Sequence, residues 1–122
     1  MTTETFTDQS LSLDASDDGP ELLLTWRGRS TAREPGKFLR PILTAQLDKG
    51  CEQKRALVLD FRAVEFFNSS TITPVIRLLE EARKRGAHLV VRYRKDLRWQ
   101  ELSFSALKVF VGVDDRIRIE GL

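Results

Sequence analysis

The sequence predicts an α/β domain. A mixed β-sheet opens with an antiparallel hairpin and continues through β-α-β-α-β-α-β crossovers, with the helices mainly on one face. Three observations predict it. The hydrophobic period switches repeatedly between two and about 3.6 residues. From residue 56 onward short apolar runs alternate with longer amphipathic segments, the pattern of parallel strands joined by helices. Finally, 122 residues with 41% hydrophobic and 31% charged side chains suit one compact globular domain, taken as 1–122, rather than a disordered chain.

The elements follow in order. Residues 1–8 read as frayed. Residues 10–14, SLSLD, alternate polar and apolar as an edge strand does. Asp17-Asp18-Gly19-Pro20 is a turn signal, and ELLLTWRG over 21–28 is the second strand, ending at a glycine that relieves a turn. The polar stretch 29–36 contains Pro35 and Gly36 and reads as a loop. From Lys37 the residues Phe38, Leu39, Ile42, Leu43 and Leu47 share a helical face, Pro41 sits in the first turns, and Gly50 is the expected stop. ALVLDF, 56–61, is a short apolar run that suits a buried central strand.

After the polar group at 68–71, Ile72, Val75, Ile76, Leu79 and Ala82 form a second helical stripe that closes at Gly86. Residues 88–94 make the next strand. A third helix is expected over 97–110 with Trp99, Leu102, Ala106, Leu107 and Phe110 on its apolar face. Phe104 falls roughly 200° from Leu102 on that helix, which places it off the apolar stripe as a candidate docking residue. Val113, Asp114 and Asp115 lead into a last strand at 116–120.

Composition excludes several function classes. The formal net charge is only +2, which gives no general pull toward nucleic acid or membrane. The charge is uneven: residues 1–21 hold six acids and no base, and 83–98 hold seven bases. Arg92 with Arg94, and Arg116 with Arg118, share strand faces. That stripe reads either as a solvated face paired with the acidic N-terminal hairpin or as a surface for an acidic partner. Aromatic interleaving is poor, so no direct nucleic-acid contact is expected. The single cysteine, Cys51, excludes an intramolecular disulfide. No apolar run approaches the ~20 residues of a membrane span, and the polar, acidic N-terminus is unlike a signal peptide. The expectation is a cytoplasmic protein. There is no Gly-rich phosphate loop, no His-acid-Ser constellation and no metal-ligand cluster around the lone His88, so neither enzymatic activity nor a cofactor or metal is expected.

Asn68-Ser69-Ser70-Thr71 stands between a buried strand and an amphipathic helix. Read locally, it is a helix cap, because Asn, Ser and Thr are preferred there. Thr73-Pro74 is itself a good cap and first-position pair. A start at Thr73 would leave Ser70 in the loop before the helix.

The stretch LVLDFRAVEFFNSSTITPVIRLLEEARKRG, 57–86, resembles the STAS domain family of sulfate transporters and anti-sigma factor antagonists. Asp60 matches the strand-end Asp of that family. Val64, Phe66 and Phe67 match its apolar positions, and Asn68, Ser69, Ser70 and Thr71 its Asp-Ser-Ser/Thr-Gly motif. Element order and length agree over most of the chain. The resemblance implies a partner-switching regulator in which Ser70 is phosphorylated, while Asn68, Ser69 and Thr71 form the docking loop. It implies a serine kinase of anti-sigma factor type as partner, with a phosphatase to reverse the modification. A homodimer is a further candidate assembly. Asn68 stands where Asp is usual and removes a charge, and Thr71 stands where Gly is usual and adds a side chain. Two other readings stand beside this one: an unphosphorylated STAS-like scaffold or oligomerisation module, and a sensor of a small anionic ligand or nucleotide using the same helix start.

Overall fold

The computed structural model describes residues 3–113 and 115–122. Six strands form one sheet in the order β1-β2-β3-β4-β5-β6: β1 Thr3–Asp8, β2 Leu11–Ser16, β3 Leu22–Ser30, β4 Leu57–Phe67, β5 Leu89–Tyr93 and β6 Ile117–Gly121. The first three pair antiparallel and the last three join in parallel. Three helices provide the crossovers: α1 Gly36–Gln53, α2 Ser69–Arg85 and α3 Arg98–Ser105, the last continued by a 3-10 turn over Ala106–Phe110.

Strand alternation explains the layering. Leu11, Leu13, Leu22, Leu24, Trp26, Leu57, Leu59, Phe61, Leu89, Val91, Tyr93 and Ile117 point to one face. There they form a single core with Leu39, Leu43 and Leu47 of α1, Val75, Leu79 and Ala82 of α2, and Phe104 of α3. The helices thus lie mainly on one face, as expected. The other face carries a cross-strand polar row, Asp14, Thr25, Asp60, Arg92 and Glu120, aligned by register.

Four expectations need correction. Residues 3–8 are not frayed; they pair with β2 over its whole length, from Thr3↔Ser16 to Asp8↔Leu11. Residues 1, 2 and 114 lie outside the described residues. β3 does not end at Gly28 but bulges there and runs to Ser30. Gly28 has φ +92°, and a Cβ at that position would overlap the Ser10 carbonyl, so glycine is required. α1 does not stop at Gly50 but at Lys54, which takes the left-handed conformation. Gly50 stays inside the helix because the returning chain comes close: an added Cβ would stand 3.0 Å from the Arg55 carbonyl oxygen.

The fourth correction concerns the third helix. It divides into α and 3-10 segments, and its buried line is Gln100, Phe104 and Leu107. Leu102, expected inside, is 64% exposed. The phase was misread because a buried glutamine marks it. β5 leaves β4 after Asp60↔Arg92, while β4 continues to Phe67. Gln100 takes over at that point. Its Nε2 donates to the carbonyls of Phe61 at 2.9 Å and Val64 at 3.0 Å, and its Oε1 accepts from the Arg94 N–H at 2.7 Å. Buried backbone groups need such partners, so a polar side chain occupies a core position.

Candidate functional site

The sheet delivers the chain to the site. The β3–β4 ladder runs through Ser30↔Phe67, and the Asn68 N–H then donates to the Ser30 carbonyl at 3.0 Å. Asn68 is the extended N-cap residue of α2. Of the two starts left open by the sequence, the molecule takes the earlier one. Ser69 and Ser70 are the first two helical residues, and Thr73-Pro74 lies inside the helix.

No side chain caps the N-terminus of α2, because the Asn68 and Thr71 side chains are engaged elsewhere. Thr71 Oγ1 donates to Asn68 Oδ1 at 2.7 Å. With that proton committed, Ser30 Oγ, also 2.7 Å from Thr71 Oγ1, is the donor of the second bond. Asn68 Nδ2 donates to the Ala32 carbonyl at 2.9 Å. An amide serves this arrangement where a carboxylate could not, since one end accepts and the other donates. Asn68 and Thr71, the two departures from the family motif, are therefore coupled parts of one network tying the helix start to β3.

That network corrects the expectation for Thr71. It is 1% exposed, so its side chain belongs to the interior rather than to a docking loop. Asn68 is half-buried, and Ser69 and Ser70 are exposed. Ser70 lines a concavity of about 340 Å³ with Thr73, Pro74 and Arg77 of α2, Gly36 and Arg40 of α1, and Arg33 of the preceding loop.

Phe104 is also corrected. It is fully buried, stacked 5.5 Å from Tyr93 and tilted against Phe61 at 4.7 Å. The exposed aromatic near the motif is Phe66, 41% accessible, with the Arg29 guanidinium 5.3 Å from its ring centroid. Phe67 meets Trp99 edge-on at 5.0 Å, so α3 rests against the strand that leads into Asn68. The sequence reading gave Phe66 only an apolar motif position, and nothing in the sequence indicated that Arg33, Arg40 and Arg77 would line one concavity with Ser70.

Three arginines of the stripe, Arg92, Arg94 and Arg118, are ion-paired. Arg92 lies 3.4 Å from Glu120 and 3.8 Å from Glu21, Arg94 is 2.8 Å from Asp96, and Arg118 is 3.4 Å from Glu120. Of these carboxylates only Glu21 comes from the acidic N-terminal segment, at the start of β3. Asp60 stands on the same face, bonded by the Arg62 guanidinium at 2.8 Å and by the Arg62 N–H at 3.0 Å. Burial acts to raise its pKa, but the Arg62 guanidinium and N–H, helped by Arg92, outweigh burial and hold it below the usual carboxylate range. Among the described residues no group of His, Cys, Asp and Glu is arranged to hold a metal ion, and no helix is long and apolar enough to cross a membrane.

The antiparallel opening, the parallel continuation and the helix start after β4 define a STAS-type fold, the fold that the motif at 57–86 implied. Among solved structures the chain is similar to the crystal structure of an anti-sigma factor antagonist from Mycobacterium paratuberculosis. The TM-score is 0.64 and the identity 18%, covering 90% of this chain and 93% of that one. Comparison with protein-family models and with curated protein sequences gives no match.

Proposed function

We propose that this protein is a regulatory, protein-binding module of the anti-sigma factor antagonist kind, with the start of α2 as its docking surface and Ser70 as the residue that a serine kinase modifies. One observation carries the reading: Ser69 and Ser70 are exposed and free of the network that locks Asn68 and Thr71 on either side. A rigid mount thus presents a hydroxyl that has no structural task, so modifying it leaves the fold intact.

In the proposed step Ser70 Oγ attacks the terminal phosphorus of a nucleoside triphosphate held by the kinase. The new O–P bond forms as the bond to the departing nucleoside diphosphate breaks, and the hydroxyl proton passes to a base of the kinase. The product adds about −1.5 to −2 charges to the docking surface, which ends one partnership without moving the core. A phosphatase restores the hydroxyl by hydrolysis. Phe66 takes the place of Phe104 as the second docking residue. The setting is the cytoplasm, where the nucleotide is available.

Phosphosite mapping by mass spectrometry, on protein isolated from its native cells while growing and under stress, tests the switch. Phosphate on Ser70 whose occupancy changes with condition is the expected result. A loop that stays unmodified in every condition would refute the switch and favour a second reading, a docking module that never carries phosphate. That second reading is supported by Asn68, whose amide is committed to the fold and sets no charge beside the hydroxyl.

A further inference from the structure

The concavity beside Ser70 has an unusual electrostatic make-up. Arg33, Arg40 and Arg77 all line it, and none of the three has an ion pair or hydrogen bond among the described residues. Glu34 is the one acid in the lining, and its carboxylate is already held by Lys37 at 2.9 Å. Three arginines against one glutamate leave the lining at +2. Two helix starts border the same space, α1 at Pro35-Gly36 and α2 at Ser70. Neither has a capping side chain or an acid in its first turn, the positions where acids normally offset the positive end of the helix. Arg40 and Arg77 also border the adjoining groove between α1 and α2, which holds Lys84 and Arg85 with the acids Asp48, Glu80 and Glu81. The part of this surface that reaches Ser70 keeps all three arginines and only Glu34 of the acids.

Helix geometry supplies the reach. Ser70, Thr73, Pro74 and Arg77 follow the i, i+3, i+4, i+7 pattern of one face. Arg77 lies about 10.5 Å along the axis from Ser70, on the C-terminal side from which long helical side chains lean back toward the N-terminus, and it lines the same concavity. Arg40 of α1 and Arg33 of the loop before it complete the lining.

We infer that these three arginines form an intramolecular clamp for a phosphate on Ser70. The inference rests on the phosphorylation proposed above and adds what that modification does. Unmodified, the concavity is a basic socket that suits an acidic partner surface. Once phosphorylated, Ser70 fills the socket with its own phosphate, and a lining of +2 meets about −1.5 to −2. Partner release then follows from occupation of the arginines as well as from repulsion.

The test uses full-length protein with phosphoserine placed at residue 70 during translation, so no kinase is needed. Its second ionisation is followed by phosphorus NMR across pH. The comparison proteins carry phosphoserine at residue 69, outside the concavity, or at residue 70 in R33Q/R40Q/R77Q. The clamp predicts that phosphoserine 70 in the otherwise native chain titrates lower than both by about 0.5–1 pH unit, and that the difference shrinks at 1 M salt. If the triple variant does not fold, single variants read the same effect in part, with R77Q expected to move the titration up. Equal titration of all forms would overturn the clamp while leaving the switch standing. An unmodified Ser70 in cells would overturn the switch, so the two failures are distinguishable.

Discussion

Gln100→Leu is expected to be among the most damaging single changes in this protein, although it replaces a polar core residue with an apolar one of similar size. The wild-type amide is 0% exposed and serves three backbone groups. Leucine removes the donors to the Phe61 and Val64 carbonyls, in residues that are 1% and 2% exposed. Each buried group left unpaired costs about 1–3 kcal/mol. The Arg94 N–H adds little, because that residue is exposed and water can serve it. A gain of about 1 kcal/mol from burying extra apolar surface leaves a net loss of about 1–5 kcal/mol. That is a large share of the roughly 6–18 kcal/mol expected for a domain of this length. It corresponds to a fall in Tm of about 4–20 °C. Urea unfolding followed by circular dichroism measures it. Gln100→Glu sharpens the test: it keeps the acceptor but turns both donors into acceptors facing carbonyls. It should be worse than leucine at neutral pH and recover as acid protonates the carboxyl. A loss below 1 kcal/mol for leucine would show that β4 does not depend on this side chain, and the account of how the strand reaches Asn68 would fall with it.

The remaining predictions rest on other corrected or newly placed residues. Phe104→Ala should cost about 3–5 kcal/mol as a core truncation, whereas Leu102→Ser should stay within about 0.5 kcal/mol; urea unfolding of both checks the phase of α3. Thr71→Val keeps the shape but leaves Ser30 and Asn68 short of a partner, for a loss of about 1–3 kcal/mol. Ser70→Ala should be neutral in the same denaturation assay. The lowered pKa of Asp60 means that its ionised form binds the native state more strongly than the unfolded one. Its contribution is therefore present above the unfolded value of about 3.9 and lost as pH falls through the lower folded value. Carboxyl carbon NMR should show Asp60 titrating below 3.9, and Arg62→Gln should move that titration upward.

The succession of elements after residue 56 was legible because each strand and helix has its own period. Gly86 also ends α2 as read, with the Ala87 N–H returning to Ala82 at 2.9 Å. β1 was missed because TETFTD is mostly exposed polar surface and becomes a strand only through pairing with β2. β4 was read as ending near Phe61 because Arg62, Ala63 and Glu65 break the apolar run. Those residues are exposed, and pairing with β3 carries the backbone past them. Phe104 was misplaced because the true phase of its helix passes through Gln100, whose value lies in the carbonyls it meets rather than in its hydropathy. At the site, Ser70 was legible as an exposed hydroxyl at a helix start. The burial of Thr71 was not, since it depends on Ser30, 41 residues earlier in the chain.

The strand order has a consequence for how the protein is made. Every strand lies beside its neighbours in sequence, so a chain leaving the ribosome can lay each new strand against the one just finished. No strand has to wait for a partner beyond its immediate successor, although each parallel pairing, such as Leu57↔Leu89, must close across an intervening helix, the slow kind of step. β1 is set as one rim at the outset, and growth proceeds from the other. The segment bearing Ser70 emerges only after the two strands that mount it, so the surface offered to a partner is built on a platform already in place.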